Sequence, residues 1–260
     1  MKALTCEMCG STNLIKEDGV FVCQSCNTKY SVEEAKKMMI DGTVEVAGTV
    51  KIDTSSELTN LYEIARRAKD TENSENALKY YDMILVKDPS SWEANFYVVY
   101  YRAMSCTLAE IQSAALSVSN CFGSILSIIK DNISDEAEEK EVLLEITTKS
   151  TAIANMLANG ASNHYWGIDS TIRDNFNDDY IGNMMASAKV LYTLGDSLIE
   201  TFGDKYQSKA VKLWENGNTF FTLYKLPRLS TILVLCEVLK NEYTSKIQKY
   251  NRSYQAPETT

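Results

Sequence analysis

The chain has 260 residues, of which 45% are hydrophobic and 23% charged, and its formal net charge is -9. This composition is that of a folded globular protein of one or two domains, and it excludes a disordered or fibrous chain. The acidic excess argues against a protein whose main surface follows nucleic-acid phosphates, because that attraction needs clustered lysine and arginine.

Four of the seven cysteines form two Cys-x-x-Cys pairs near the N-terminus, Cys6 with Cys9 and Cys23 with Cys26. Each pair can turn both sulfurs toward one metal ion, so the two pairs together predict a tetrahedral site for one structural Zn2+. A module of about 40 residues has too small a core to fold without such support. The three remaining cysteines lie singly in apolar helical stretches and are expected to be core residues.

The residues around these cysteines predict a zinc ribbon over residues 1–40. Asp18 and Gly19 separate two apolar runs, which predicts a β-hairpin that folds the second cysteine pair back on the first. Gly10 and Asn27 follow the two pairs, where positive φ is common, and both residue types tolerate it. Ser31 begins a capping-box sequence, so a short helix is expected to follow.

Residues 4–30 resemble the zinc ribbon of transcription factor IIB. The resemblance rests on the Cys-x-x-Cys-Gly knuckle and on the closing segment from Cys23 to Tyr30, and it covers about a tenth of the chain. Similar ribbons begin many uncharacterised bacterial proteins, several of them followed by helical regions. The resemblance implies the four metal ligands only, because ribbons serve nucleic-acid binding, protein binding and stability alike.

Residues 41–56 alternate apolar and polar residues around two glycines, which predicts a linker or a small hairpin at a domain boundary. The longest apolar run, Ile232 to Leu239, contains Glu237 and is far shorter than the roughly 20 residues of a membrane span. No signal-peptide core precedes Cys6. A cytoplasmic protein is therefore expected.

Helical periodicity extends over residues 57–252 and predicts an all-α body, followed by a disordered tail over 253–260. Residues 58–90 resemble one tetratricopeptide repeat, with small and apolar residues at the repeat's spacing: Leu61, Ala65, Ala68, Ala77, Tyr81, Ile84 and the final Pro89. The repeat usually has Trp, Gly and Tyr at the first three of these positions. The pattern fades in the next period, so longer helices are predicted over 107–130, 135–160, 179–202, 206–223 and 229–250.

No catalytic motif is recognisable, and we expect a protein that is not an enzyme. The single histidine, His164, is near a predicted helix end, where a cap or surface role is expected. The acidic run over 135–141 fits a solvated first helical turn, which the helix dipole favours. No nucleophile elbow, phosphate-binding loop or helical His-Glu metal motif is present.

The sequence favours a cytoplasmic, zinc-stabilised adaptor whose helical body holds a protein or peptide partner. One helix is rich in aromatic residues that either pack in the core or line a partner-binding face: Trp92, Phe96, Tyr97, Tyr100 and Tyr101. The alternative is a transcription-related factor whose ribbon contacts nucleic acid or polymerase, assisted by the positive segment 225–252. Balanced charges in the ribbon weigh against that alternative. An enzyme with dispersed catalytic residues ranks last.

Overall fold

The computed structural model describes residues 6, 8, 9, 11–17, 19–32 and 55–258. The chain divides into two compact units, Met1–Asp53 and Thr54–Thr260, which are described separately below. The predicted fold class, mostly α with a small N-terminal β element, is confirmed. The helix predicted after Ser31 and the linker predicted over 41–56 lie outside the described residues, except for Val32, Ser55 and Ser56.

The N-terminal unit contains a three-stranded antiparallel sheet in the order β1-β2-β3. The strands are β1 (Leu14–Glu17), β2 (Val20–Cys23) and β3 (Lys29–Tyr30). Gly19 adopts a φ of +84° in the turn between β1 and β2, so the predicted hairpin is confirmed. The sheet places Cys23 opposite Leu14 and Tyr30 opposite Phe21.

The second unit is built from α-helices that are joined by short turns and three 3-10 segments. The helices are α1 (Ser55–Asp70), α2 (Ser74–Lys87), α3 (Trp92–Met104), α4 (Ile111–Asn132), α5 (Glu136–Gly167), α6 (Asn177–Phe202), α7 (Gln207–Leu223) and α8 (Leu233–Gln248). Three helices begin at a side chain that accepts a backbone N–H in the first turn: Asn73 for α2, Ser91 for α3 and Asp135 for α5.

Helix α6 is the centre of the body and packs against α4, α5, α7 and α8. Its consecutive residues Val190, Leu191 and Tyr192 are all fully buried. Three successive helical positions point about 100° apart, so burial of all three requires neighbours on most sides of the helix. At the crossing with α7, Gly195 faces Trp214 and Gly217 faces Tyr192.

The three N-terminal helices of the body pack in sequence, α1 against α2 and α2 against α3. Ala65 and Ala77 are fully buried, so these small side chains let helices approach closely, as the repeat-like spacing predicts. Helices α4, α5 and α6 have 22, 32 and 26 residues, so the short repeat-like pattern does not continue. Helix α5 passes the predicted end at residue 160, because a helix tolerates an interior glycine such as Gly160 at a cost of about 1 kcal/mol.

Two described features bear on the disordered tail expected over 253–260 and on the expected absence of a membrane span. The segment after α8 contacts the body at two positions: the Tyr254 hydroxyl lies 3.2 Å from the Asn218 amide nitrogen, and the Pro257 carbonyl oxygen lies 3.4 Å from Lys240 Nζ. By length and composition alone, one described helical segment, Leu108–Asn132, is long and apolar enough to cross a membrane. Its serines interrupt the apolar residues, so it contains no long unbroken apolar run. Phe122 and Ile125 of this helix are fully buried, as in the core helix of a globular domain.

Candidate metal centre

The structure brings the four predicted cysteine ligands together. Their sulfur atoms all lie within 4.8 Å of one another, with 3.5 Å between Cys6 and Cys26 and 3.6 Å between Cys9 and Cys23. These separations are far longer than the roughly 2.05 Å of a disulfide. They are close to the edge of about 3.8 Å that follows from a tetrahedron with metal–sulfur bonds of about 2.3 Å. The cluster therefore has the geometry of a four-sulfur metal site.

Backbone hydrogen bonds shape the two knuckles that present these sulfurs. The Cys6 N–H donates to the Ser11 carbonyl at 2.8 Å, and the Cys23 N–H donates to the Thr28 carbonyl at 2.9 Å. Asn27 closes the second knuckle with a φ of +57°, as its position after Cys26 predicts. The tight turns hold each pair of sulfurs on one side of the chain.

The cluster also has hydroxyl groups within reach of its sulfurs. The Tyr30 hydroxyl lies 3.1 Å from the Cys6 sulfur and lowers the pKa of that thiol to about 6. Thr28 places its hydroxyl 3.1 Å from the Cys26 sulfur. Such outer hydrogen bonds orient metal ligands and stabilise their ionised form. The sequence alone does not suggest a role for Tyr30, because its ring lies beside the first knuckle only once β3 has paired with β2.

The four sulfur atoms are close enough to affect one another's ionisation. The Ser11 backbone N–H lowers the pKa of the Cys9 thiol, but the neighbouring sulfurs and burial outweigh it and raise that pKa to about 12. Four thiolates at this spacing therefore need a positive ion among them. An all-sulfur donor set suits Zn2+ and other thiophilic ions, whereas Mg2+ and Ca2+ prefer oxygen.

Comparisons with models of known protein families, with curated proteins and with solved structures find no match to this chain. No family is assigned. The transcription factor IIB and tetratricopeptide resemblances therefore rest on the residues of this chain alone.

The aromatic residues predicted as a partner-binding face lie mostly in the core. Phe96, Tyr97, Tyr100 and Tyr101 are buried, and Trp92 is half-buried. The rings pack on one another, with the Tyr97 centroid 5.7 Å from that of Tyr101. These four rings hold α3 in the body and leave no open face on which a peptide could stack.

A buried network of charged and phenolic groups surrounds these rings. Glu93 is only 4% exposed and accepts hydrogen bonds from the Tyr81 hydroxyl at 2.7 Å and from the Arg66 guanidinium at 2.6 Å. Glu145 accepts from the Tyr97 hydroxyl and pairs with Lys69 at 2.9 Å. The network joins α1, α2, α3 and α5. The network is not evident from the sequence, because Glu93 lies in the first turn of a helix, where the helix dipole commonly favours a solvated acid.

The electrostatics of Glu145 follow from these contacts. Burial acts to raise the pKa of its carboxyl group, but the Tyr97 hydroxyl and Lys69 outweigh burial, so the pKa lies below its usual value of 4.5. The carboxylate form is therefore the one that the folded state stabilises.

The remaining titratable candidates have structural positions. His164 is exposed in the last turn of α5, and Asp135 caps the start of that helix. The acidic run was expected to be solvated, but Glu139 within it is buried. Its carboxylate lies 2.6 Å from Lys205 Nζ. Among the described residues, the four cysteines are the one group of three or more potential metal ligands whose donor atoms converge.

Two pockets beside α4 share one lining residue, and we call them together the α4–α6 groove. The first, of about 480 Å3, lies among segment Leu108–Glu110, the end of α5 and the start of α6. The second, of about 500 Å3, lies between α4, α6 and the start of α8. Gln112 is the residue that lines both pockets. Sequence analysis did not predict this groove, since its residues come from four separate segments.

Proposed function

We propose that this chain is a non-catalytic, cytoplasmic adaptor in which the ribbon holds one structural Zn2+ and the helical body binds a protein partner at the α4–α6 groove. The ribbon is of the transcription factor IIB type in this proposal, and the first helical pair of the body is a tetratricopeptide-like unit. Cys6, Cys9, Cys23 and Cys26 supply the four zinc ligands, and the metal stabilises a unit too small to fold alone.

The observation that supports partner binding most directly is the exposed apolar rim of the groove. Leu116 on α4 is 60% exposed and Leu235 on α8 is 48% exposed, and both line the second pocket. Val234 and Val238 extend the exposed apolar surface along α8. Single exposed apolar residues are ordinary, but a connected group beside a pocket is typical of a binding surface.

The chemistry of the groove favours an amphipathic helix of a partner protein. Helix α4 carries no charged residue from Ile111 to Ile129, in a chain that is 23% charged. Small residues, among them Ala115 and Ala186, line the second pocket together with the larger apolar residues Leu116, Met185 and Leu235. Peptide helices bind such grooves through apolar residues at spacings of three and four.

The transcription-related alternative has less support from the described charges. Lys240 is buried beside Glu237 at 3.2 Å, and Lys246 pairs with Asp196 at 2.9 Å. These pairs reduce the positive surface that the segment 225–252 offers to phosphates. The aromatic helix α3 is likewise not used in this proposal, because its rings pack in the interior.

The experiment combines metal analysis with site-specific cross-linking of the full chain. We expect one zinc per chain by elemental analysis. A photo-reactive amino acid at Ser113, an exposed groove position, should cross-link one protein partner in native cells. The same group at Val86, which is 84% exposed on α2, is the control and should not capture it.

The identified partner is then purified and its affinity is measured. Leu116→Ser and Leu235→Ser should each weaken binding about tenfold, which corresponds to about 1.4 kcal/mol at a binding hot spot. Val86→Ser should leave the affinity unchanged. Equal cross-linking at Val86, or recovery of nucleic acid in a salt-sensitive manner, would contradict the proposal, and capture of lipid would favour a membrane role for α4 instead.

A further inference from the structure

A second cleft, distinct from the α4–α6 groove, lies between α5 and α7 and has a volume of about 470 Å3. We call it the α5–α7 cleft. On α5 it is lined by Leu144, Thr147, Thr148 and Thr151, whose spacing places them on one helical face. On α7 the lining includes Ser208, Lys212 and Asn216, which lie four residues apart, together with Lys209. Two polar helical faces therefore oppose each other across the cleft.

The cleft is positively charged although the protein is acidic. Lys209 and Lys212 line it, and no carboxylate does, in a chain with a formal net charge of -9. Within the described part of the chain, neither lysine forms an ion pair, whereas Lys69, Lys205 and Lys246 each pair with a carboxylate within 3 Å. Lys209 is half-buried and Lys212 is exposed, so both lysines remain accessible to a ligand in the cleft.

Neutral donors complete the lining. The Thr147 and Thr151 hydroxyls already donate to backbone carbonyls on α5, at 3.0 and 2.8 Å. The side chains of Thr148, Ser208 and Asn216 make no hydrogen bond within the described residues, and each carries an O–H or N–H donor. Two lysines and three residues with unused side-chain donors thus line one space from two helices.

We propose that the α5–α7 cleft binds the phosphate group of a small organic phosphate ester. The two negative charges of a phosphate ester complement two lysines better than the one charge of a carboxylate does. The phosphate oxygens also accept several hydrogen bonds at once. Leu144 and Leu213 form apolar parts of the lining, where the organic portion of the ester lies. The site is independent of partner binding at the α4–α6 groove, and failure of either proposal leaves the other standing.

The test is a titration of the zinc-loaded full chain with phenyl phosphate, followed by nuclear magnetic resonance. We expect saturable shifts of the Thr148, Ser208 and Asn216 signals at millimolar concentration or below. Benzoate, with one negative charge, should bind at least about tenfold more weakly, and inorganic phosphate should be weaker than the ester because it lacks an apolar portion. Added salt should weaken binding, since the lysines are partly exposed.

The double variant Lys209→Gln and Lys212→Gln should weaken phenyl phosphate binding at least about tenfold, because each ammonium group supplies a charge-assisted hydrogen bond. Lys79→Gln, at an exposed lysine on α2, is the matched control and should have no effect. An affinity that is unchanged in the double variant, or reduced equally in the control, would overturn the proposal. Equal binding of benzoate would overturn the phosphate assignment.

Discussion

Substitution of Gly217 in α7 by alanine tests the close approach of α6 and α7. A Cβ atom at this position would lie 2.4 Å from Cε1 of Tyr192. Carbon atoms in contact are normally about 3.5 to 4.0 Å apart, so the Tyr192 ring would have to move about 1 Å away from the added Cβ. The Tyr192 ring is stacked on Tyr243 with centroids 3.7 Å apart, and its hydroxyl bonds Asn218 at 2.6 Å. The ring is therefore held from both sides.

The magnitude follows from two opposing effects. Alanine stabilises a helix interior by about 1 kcal/mol relative to glycine. Overpacking of a dense core costs about 1 to 3 kcal/mol, and a blocked ring places this site in the upper part of that range. Gly217→Ala should therefore lower the free energy of unfolding by about 1 to 2 kcal/mol.

Gly123→Ala in α4 is the matched control, since it makes the same chemical change at an exposed position with no atom within 4 Å of the added Cβ. It should stabilise the body by about 0.5 to 1 kcal/mol. Thermal unfolding followed by far-ultraviolet circular dichroism measures both, with about 2 to 4 °C of Tm per kcal/mol for a domain of this size. A Gly217→Ala protein as stable as the parent would refute the tight crossing of α6 and α7.

Three further predictions concern the ribbon and the buried network. Tyr30→Phe removes the hydroxyl beside Cys6 and should weaken zinc affinity by about 10- to 100-fold, as measured by competition with a chromophoric chelator. Glu93→Ala leaves the Tyr81 hydroxyl buried without its acceptor and should lower the free energy of unfolding by about 2 kcal/mol in urea titrations. Because the folded state lowers the pKa of Glu145, its contribution to stability is present above about pH 4.5 and is lost as the pH falls through the lower folded pKa. Glu145→Gln should remove that part of the acid dependence.

Each of these predictions has its own check. Asp82→Ala breaks an exposed pair with Arg102 and should cost less than about 1 kcal/mol, so a loss equal to that of Glu93→Ala would contradict the role of burial. For the ribbon, an unchanged zinc affinity in Tyr30→Phe would show that the hydroxyl does not support the ligand. For the acid dependence, parallel stability curves of Glu145→Gln and the parent between pH 2 and pH 6, roughly the range of carboxyl titration, would contradict the assignment.

The features predictable from sequence are those that depend on residues close together in the chain. Two Cys-x-x-Cys pairs, a turn at Gly19 and a positive φ at Asn27 follow from local chemistry, and the structure has all of them. Helix periodicity likewise predicted the mostly α fold, because an amphipathic helix repeats its apolar residues within one segment. Helix ends were less predictable, since a helix tolerates an interior glycine and α5 continues past Gly160 to Gly167.

Burial and pairing could not be read from the sequence, because they depend on segments far apart in the chain. The spacing of Phe96, Tyr97, Tyr100 and Tyr101 suits a core helix and a binding face equally well, and only packing against other helices decides that they are buried. The same holds for the α4–α6 groove and the α5–α7 cleft, whose walls come from different helices. The sequence by itself determined the two cysteine pairs and the helical class, which are set by local geometry. Tertiary structure alone decided which surfaces remain free to bind, because a side chain is exposed only where no distant segment covers it.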